Sequence, residues 1–268
     1  MEFGLLGPVA VWHQGLEVAV PKAQQRCVLA LLLRDVGRVV VFERFVDALW
    51  DDDRMPPTAR NVVQQAVSGL RRVLSIDPGV RLAHHTAGYV LEVDPALIDL
   101  HRFRALVARS RGEARASVLR RALGLWRGEP LEDVNAPGVA PIKQALAEER
   151  LAVLEERLDL EVRAGRDAEL VPELRVLVAD HPWHERLHGL LMVALYRAGR
   201  PADAVRVFHD ARRASGSGAG PELHRLYELL LRNDPVLERC AGGAARQPPH
   251  HQHTPRFLHE PFQSGDQE

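Results

Sequence analysis

The hydrophobic pattern of the N-terminal part changes its period twice, and this restricts the folds that it can adopt. Apolar and polar residues alternate over residues 2–20, with breaks at Gly-Pro and Gln-Gly, which predicts three short antiparallel strands. The spacing becomes helical over residues 21–37, 42–50 and 58–74, which predicts three helices. Residues 80–93 have apolar runs on both sides of Thr-Ala-Gly and predict a β-hairpin. Three strands, three helices and a hairpin define an α+β domain.

A four-residue match indicates repeated units in the C-terminal part. The sequence Arg-Ala-Gly-Arg at 163–166 returns at 197–200, a displacement of 34 residues, which is the period of tetratricopeptide (TPR) repeats. The second copy has the small, aromatic and small residues that such a repeat packs, whereas the first copy is degenerate and has leucines there. These residues are Ala204, Phe208 and Ala211 in the second copy and Leu170, Leu174 and Leu177 in the first. We expect a TPR-like stack of helical hairpins.

Length and composition fit two domains. We predict the α+β domain over residues 1–95, an all-α TPR-like domain over 99–237 and a disordered tail over 240–268. The formal net charge of −1 means that nucleic acid would have to bind a local basic patch. Cys27 and Cys240 support neither a disulfide framework nor a cysteine metal site. No apolar run is long enough to span a membrane and no leader is visible, so we expect a cytoplasmic protein.

The third helix has a polar face without acidic side chains. Asp and Glu are absent from residues 54–76, although 26% of the chain is charged. The apolar residues of this helix recur at the three-and-four spacing of a buried face. The opposite face carries only hydroxyls, amides and arginines: Thr58, which is the expected N-cap, then Arg60, Asn61, Gln64, Gln65, Ser68, Arg71 and Arg72. An ordinary solvated face would mix both signs of charge.

This polar face has the chemistry of a major-groove contact. Amide side chains can donate to and accept from an adenine edge, and arginine can bind guanine or phosphate, whereas phosphate repels carboxylates. A short helix before it and a hairpin after it complete a winged helix-turn-helix. Lys22 and Arg26 begin the first helix, where they could hold a phosphate, and His84 and His85 could face DNA from the hairpin. The alternative for the polar face is an ordinary solvated helix surface. Lys22 and Arg26 could likewise be solvated surface residues, and His84 and His85 could be ordinary strand histidines.

Two further polar clusters have weaker interpretations. Asp51, Asp52 and Asp53 are contiguous and lack the spaced ligands of a calcium loop, so they are either solvated or contact a basic protein. The tail has four histidines without a preorganised site, and we therefore expect no metal. No GxxxxGK, GxSxG or HExxH motif occurs, so we predict neither an enzyme nor a cofactor. The tail histidines are His250, His251, His253 and His259.

Eight stretches, taken in this order, carry a family resemblance over residues 1–237. They are FGLLGPV, PKAQQRCVLALLL, RFVDALW, PPTARNVVQQAVSGLRRVL, TAGYVLEV, ALGLWRGEPLEDV, ELVPELRVLVADHPWHERL and LLMVALYRAGRPADAVRVF. With them the sequence resembles the antibiotic regulatory protein family of actinobacterial transcription activators, called SARPs. That family combines an OmpR-like winged helix with a helical bacterial transcriptional activation domain.

The resemblance implies a pathway-specific activator of a secondary-metabolite gene cluster. It would bind tandem direct repeats of double-stranded promoter DNA in the nucleoid and recruit RNA polymerase holoenzyme. A side-by-side homodimer on the direct repeats would be consistent with the family. Residues 58–74 would be the recognition helix, and residues 84–88, with Thr86, the tip of the wing. The loop of Asp51, Asp52, Asp53 and Arg54 is similar in position to a polymerase-contacting element of OmpR-like proteins. We expect neither the ATPase module of larger relatives nor a receiver domain.

Two other classes of protein remain as alternatives. One is a TPR-like adaptor whose winged helix no longer binds DNA. A helix that had stopped contacting DNA would be free to gain acids, so the acid-free face of residues 58–74 favours the DNA-binding protein. The other is a hydrolase that uses the scattered histidines and acids, and no nucleophile motif supports it.

Overall fold

The computed structural model describes residues 1–51, 55–109, 112, 114–216 and 218–238, and its N-terminal part contains two small antiparallel sheets and three helices. The first sheet consists of β1 (Glu2–Gly4), β2 (Ala10–His13) and β3 (Leu16–Glu17) in that order. The helices are α1 (Ala23–Arg34), α2 (Phe42–Leu49) and α3 (Ala59–Leu74). The second sheet has β4 (Val40–Val41) and β5 (Arg81–His85) on either side of β6 (Gly88–Glu92). The predicted strands, helices and hairpin are confirmed.

Strand β4 is not predicted by the sequence pattern. It is only two residues long, so it leaves no periodic pattern, and it forms by pairing Val40 with Tyr89 and Val41 with Gly88. The strand passes so close to Gly88 that a Cβ there would lie 2.0 Å from the Val40 carbonyl oxygen. Glycine at this position therefore allows the wing hairpin to pair with the residues that lead into α2.

The C-terminal part is helical. No strand occurs after Glu92 among the described residues, and no helix within them is both long and apolar enough to cross a membrane. The predicted fold class, a winged-helix domain followed by an all-α domain, is confirmed. The helices are α4 (Asp99–Arg109), α5 (Arg115–Leu123), α6 (Ala140–Arg163), α7 (Asp167–Asp180), α8 (Glu185–Arg197), α9 (Pro201–Ala214) and α10 (Pro221–Leu231), with 3₁₀ turns at Pro95–Leu97, Pro137–Val139 and Pro235–Glu238.

The two Arg-Ala-Gly-Arg copies form the same turn between helices. Gly165 follows α6 with φ 79°, and Gly199 follows α8 with φ 77°, a left-handed conformation that favours glycine. The next backbone N–H, of Arg166 or Arg200, donates to a carbonyl five residues earlier, at 3.1 and 2.9 Å respectively. The repeat in the sequence thus marks two equivalent ends of helical hairpins.

One hydrophobic core crosses the boundary between the predicted domains. It joins both sheets and α1–α3 to buried residues of α4, α5 and the first half of α6, among them Leu100, Phe103 and Leu146. A second core begins at Leu158 and continues through α7–α10. Helix α6 contributes to both cores because its 24 residues span them. The winged helix is therefore packed against the start of the helical part.

Polar contacts at the same junction involve backbone that the first sheet leaves unpaired. The Asp99 carboxylate, 8% exposed, accepts hydrogen bonds from the N–H groups of Leu5 at 2.8 Å and Leu6 at 3.0 Å. In return, the Arg127 N–H donates to the Leu6 carbonyl at 2.7 Å. The Asp133 carboxylate accepts from the Val9 N–H at 2.7 Å. These bonds hold the winged helix in one orientation on the helical part.

Candidate nucleic-acid interface

Helix α3 separates into one buried and one exposed side. Its buried residues, which fix its rotation against the core, are Ala59, Val63, Ala66, Val67, Leu70 and Leu74. The side chains of the opposite stripe are all exposed: Asn61, Gln64, Gln65, Ser68 and Arg72. At 16 residues the helix is about 24 Å long, enough to lie along a major groove. The core thus turns amide, hydroxyl and guanidinium groups outwards together.

A groove runs between this stripe and the beginning of α1. We call it the α1–α3 groove; its volume is about 660 Å³. The α3 side supplies the whole exposed stripe, and the α1 side supplies Lys22 and Gln25. The lining residues are Pro21, Lys22, Gln25, Asn61, Gln64, Gln65, Ser68, Gly69, Arg72 and Val73. The groove therefore contains six of the residues predicted from the sequence to contact DNA.

Gln25 and Gly69 were not predicted as site residues. Gln25 is only 6% exposed, and its amide lies where a side chain on α3 would otherwise be, because a Cβ on Gly69 would lie 1.9 Å from Gln25 Nε2. Gln25 Oε1 has no hydrogen-bond partner among the described residues. The sequence pattern could have indicated only that three polar residues, Gln24, Gln25 and Arg26, precede the apolar run of α1.

Thr58 and Arg60 lie at the start of α3. Thr58 occupies the predicted N-cap position and is exposed, but its side chain makes no capping hydrogen bond. The Ala59 N–H donates to the Pro56 carbonyl at 2.9 Å, so a turn that begins at Pro56 leads directly into the helix. The Arg60 guanidinium lies over the Phe42 ring, 4.7 Å from its centroid, which holds an exposed cation at the N-terminal end of the stripe.

The Arg26 guanidinium is engaged within the protein. It donates to the Val20 carbonyl at 3.0 Å and pairs with Asp133 at 2.6 Å, across the junction with the helical part. These bonds occupy donors that the predicted phosphate contact would need, so Arg26 is not carried into the proposed interface. Lys22, four residues earlier, is exposed at the mouth of the groove, and no ion pair involves it within the described part of the chain.

Arg71 connects α3 to the wing. Its Nε donates to the Leu82 carbonyl of β5 at 3.0 Å, and its guanidinium carbon lies 5.9 Å from the Tyr89 ring centroid. The side chain is still exposed, so its remaining N–H groups face solvent. The sequence pattern predicts a DNA contact for Arg71 but not this positioning contact, because the carbonyl belongs to a strand that the helical pattern does not describe.

The wing presents its polar residues near its turn. His84, His85 and Thr86 are all exposed, and the His84 ring packs edge-on against Tyr89 at 5.4 Å between centroids. The hairpin register pairs His84 with Tyr89 and His85 with Gly88. The two histidines therefore lie at the end of the wing, one supported by an aromatic ring and the other at the turn.

The acidic loop is only partly covered by the structure. Asp51 is exposed at the end of α2, whereas Asp52, Asp53 and Arg54 lie outside the described residues, as does the tail of residues 240–268 with its histidines. From Met55 to Ile76 the chain has no acid, and no ion pair within the described ranges involves Arg60, Arg71 or Arg72. The stripe and its surroundings are accordingly basic in a chain of nearly zero net charge.

Models of two protein families match the two parts of the chain. Residues 17–91 match "Transcriptional regulatory protein, C terminal", and residues 98–231 match "Bacterial transcriptional activator domain". Regulatory protein AfsR of Streptomyces coelicolor is 40% identical over 91% of this chain, which spans 26% of that relative. Regulatory protein DnrI of Streptomyces peucetius is 35% identical over 89% of this chain and 95% of its own length.

A solved structure has the same architecture. Mycobacterium tuberculosis EmbR, determined in complex with a low-affinity phosphopeptide, superposes with a TM-score of 0.80 at 32% identity and covers 88% of this chain and 68% of that one. Fold and domain matches define a transcriptional regulator with an OmpR-type winged helix and a bacterial transcriptional activator domain. The chain belongs to the SARP family of antibiotic regulatory proteins, as the sequence resemblance implied.

Proposed function

We propose that this protein is a sequence-specific DNA-binding activator of a secondary-metabolite gene cluster, acting on promoter DNA in the cytoplasmic nucleoid. The observation that supports this proposal most strongly is the stripe of Asn61, Gln64, Gln65, Ser68 and Arg72, which is exposed, free of acids and bordered by a groove on one side. The stripe offers both hydrogen-bond donors and hydrogen-bond acceptors, and base edges require both. The SARP relatives AfsR and DnrI are named as regulatory proteins.

The residues divide into two roles by chemistry. Amide and hydroxyl groups can distinguish base edges, so Asn61, Gln64 and Gln65 would set sequence preference together with Ser68. Cations bind phosphates of any sequence and would set affinity. In this group we place Lys22, Arg60, Arg71 and Arg72, with Thr58, His84, His85 and Thr86 as backbone contacts at the two ends of the interface.

Fluorescence anisotropy would test the proposal directly. The protein is titrated into labelled fragments of the promoter regions flanking its gene and into random-sequence DNA, each at 50 and 150 mM salt. We expect binding to one promoter fragment that survives the higher salt, while random DNA is released. Equal affinity for all fragments at both salt concentrations would refute sequence-specific binding, and binding of a client protein without DNA would favour the adaptor.

Gln65→Ala would test the assignment of base contacts. If Gln65 makes a bidentate contact, its loss should reduce discrimination between the operator and single-base variants by about 1–3 kcal/mol at one base pair. The matched control is Gln144→Ala, which removes an exposed amide from α6. Unchanged preference of Gln65→Ala across a randomised operator library would contradict the assignment.

We further propose that the acidic loop contacts RNA polymerase holoenzyme. Asp51 is exposed in the connection that leads from α2 to the proposed recognition helix α3, so a protein bound to this loop would be close to the DNA in the proposed complex. The triple variant Asp51→Ala, Asp52→Ala, Asp53→Ala should retain operator affinity and lose activated transcription in vitro. Full activation by this variant would exclude the loop as the polymerase contact.

Tandem direct repeats are the proposed operator arrangement. Two copies bound side by side in the same orientation would have to contact each other heterologously, with different surfaces of each copy. Mass measurement of the complex on DNA with one repeat and with two repeats should give one and two protomers, respectively. A two-fold symmetric complex on inverted repeats would contradict this arrangement.

A further inference from the structure

One corner of the α1–α3 groove combines several groups that can accommodate an anion. The first turn of α1 has no acidic residue, and its N-cap Lys22 makes no side-chain cap. The first intrahelical bond runs from the Arg26 N–H to the Lys22 carbonyl, so the N–H groups of the preceding turn have no helical acceptor. Such groups and the helix dipole favour negative charge, and Lys22 adds a full positive charge.

A buried amide is placed in the same corner. Gln25, at 6% exposure, lines the groove, and its Oε1 has no hydrogen-bond partner among the described residues. An unpaired buried acceptor is unfavourable, so this oxygen calls for a donor that is absent from the surrounding protein. Gly69 makes the position available, because any side chain there would collide with the amide.

We propose that one phosphate of the DNA backbone binds in this corner, between the first turn of α1 and the C-terminal half of α3, and that Gln25 is a positioning residue for it. Gln25 Oε1 is itself buried, so a water molecule reaches it only when the amide group turns towards the groove; that water can then donate one hydrogen to the phosphate and the other to Oε1. Arg72 faces the same groove from α3 and can donate to the phosphate directly. This inference rests on the proposed DNA-binding function and adds a defined phosphate-binding site to it, which we call the phosphate seat.

The position of the corner explains why a phosphate, and not a base, is the ligand. Gln25 touches α3 at Gly69, in the C-terminal half of the helix, whereas the amides Asn61 and Gln64 lie in the N-terminal half. A recognition helix contacts base edges mainly with its N-terminal residues, so its C-terminal half is closer to the strand backbone. The basic residues of the corner then meet the charged part of the DNA.

The chain has two lysines, Lys22 and Lys143, and this permits a direct test. The protein is acetylated with a lysine-selective reagent, free and bound to the operator fragment found by anisotropy, and both sites are quantified by mass spectrometry. We expect DNA to protect Lys22 several-fold and to leave Lys143 of α6 unchanged. Equal modification of Lys22 in free and bound protein would overturn the phosphate seat while leaving specific DNA binding intact.

Binding measurements on variants test the phosphate itself. Lys22→Ala should reduce the slope of log K against log salt by about 0.9, the value for one phosphate on B-DNA, whereas Lys143→Ala should not change it. A neutral methylphosphonate placed at successive operator positions should weaken wild-type binding at one position near this corner. At that position Lys22→Ala should show little further loss. Additive losses at every position would overturn the assignment.

Gln25→Leu separates positioning from packing. Leucine keeps most of the volume but removes the amide oxygen, so we expect about fivefold weaker operator binding, equivalent to about 1 kcal/mol, with an unchanged or higher melting temperature. Wild-type affinity for this variant would show that Gln25 only fills space. If the wild-type protein binds no promoter fragment at all, the proposed function and the phosphate seat both fail; if it binds and only these variants behave as wild type, the seat alone fails.

Discussion

Asp99→Ala should strongly destabilise the protein, because the Asp99 side chain holds the two parts of the chain together. The carboxylate accepts hydrogen bonds from the Leu5 and Leu6 N–H groups, at 2.8 and 3.0 Å. Both donors belong to residues that are at most 1% exposed, so water cannot replace the lost acceptor. Each buried, unpaired donor costs about 1–3 kcal/mol, and the two together therefore cost about 4 kcal/mol.

This free energy corresponds to a large shift in melting temperature. For a chain of this size, 1 kcal/mol lowers the melting temperature by about 2–4 °C, so Asp99→Ala should lower it by about 8–16 °C. Asp94→Ala is the matched control: Asp94 is an exposed carboxylate that accepts one local bond from the Ala96 N–H at 2.9 Å. Its loss should cost about 1 kcal/mol.

Thermal unfolding followed by circular dichroism measures both variants, and Asp99→Asn gives an intermediate test. Asparagine keeps one acceptor oxygen but turns the other into a donor that faces an N–H group, so we expect a shift between those of the other two variants. A shift for Asp99→Ala no larger than that for Asp94→Ala would refute the reasoning, because it would mean that solvent satisfies both backbone donors.

Three further predictions follow from the same structure. A fragment of residues 1–95 should not fold cooperatively, whereas a fragment of residues 1–163 should, because the first core includes α4, α5 and half of α6. A sharp, concentration-independent thermal unfolding transition of the shorter fragment would contradict this. Arg71→Ala should weaken DNA binding partly by loosening the wing, so hydrogen exchange of β5 should rise in the absence of DNA, while Arg72→Ala should leave β5 unchanged. Burial raises the pKa of the Cys27 thiol to about 12. In a Cys240→Ser variant, where Cys27 is the remaining cysteine, this thiol should stay protonated and resist alkylation up to pH 9 until the protein is unfolded. Rapid alkylation of the native protein would show that the core opens.

The pattern of apolar residues in α3 was sufficient to predict its exposed side. Helical spacing defines which residues point towards a core, and the remaining residues must then face solvent. Asn61, Gln64, Gln65, Ser68 and Arg72 accordingly lie where the pattern placed them. The second Arg-Ala-Gly-Arg copy was equally informative, because a glycine that ends a helix in the left-handed region is a local requirement.

Partners distant in sequence could not be predicted in this way. Arg26 belongs to the same basic group as Lys22 in the sequence, yet its guanidinium pairs with Asp133, which is 107 residues away. Arg71 similarly bonds a carbonyl of the wing. Periodicity describes the direction of a side chain relative to its own helix, and it contains no information about which atom of another element will meet it.

The sequence by itself determined the order of the elements, the acid-free face of α3 and the family, because local spacing and residue chemistry carry all three. Only the tertiary structure decided that the winged helix shares a core with α4–α6, that Arg26 serves the junction, and that Gln25 lies against Gly69 in the wall of the groove. These features depend on how closely separate elements approach. That approach is set by packing of the whole core, which no short stretch of sequence specifies.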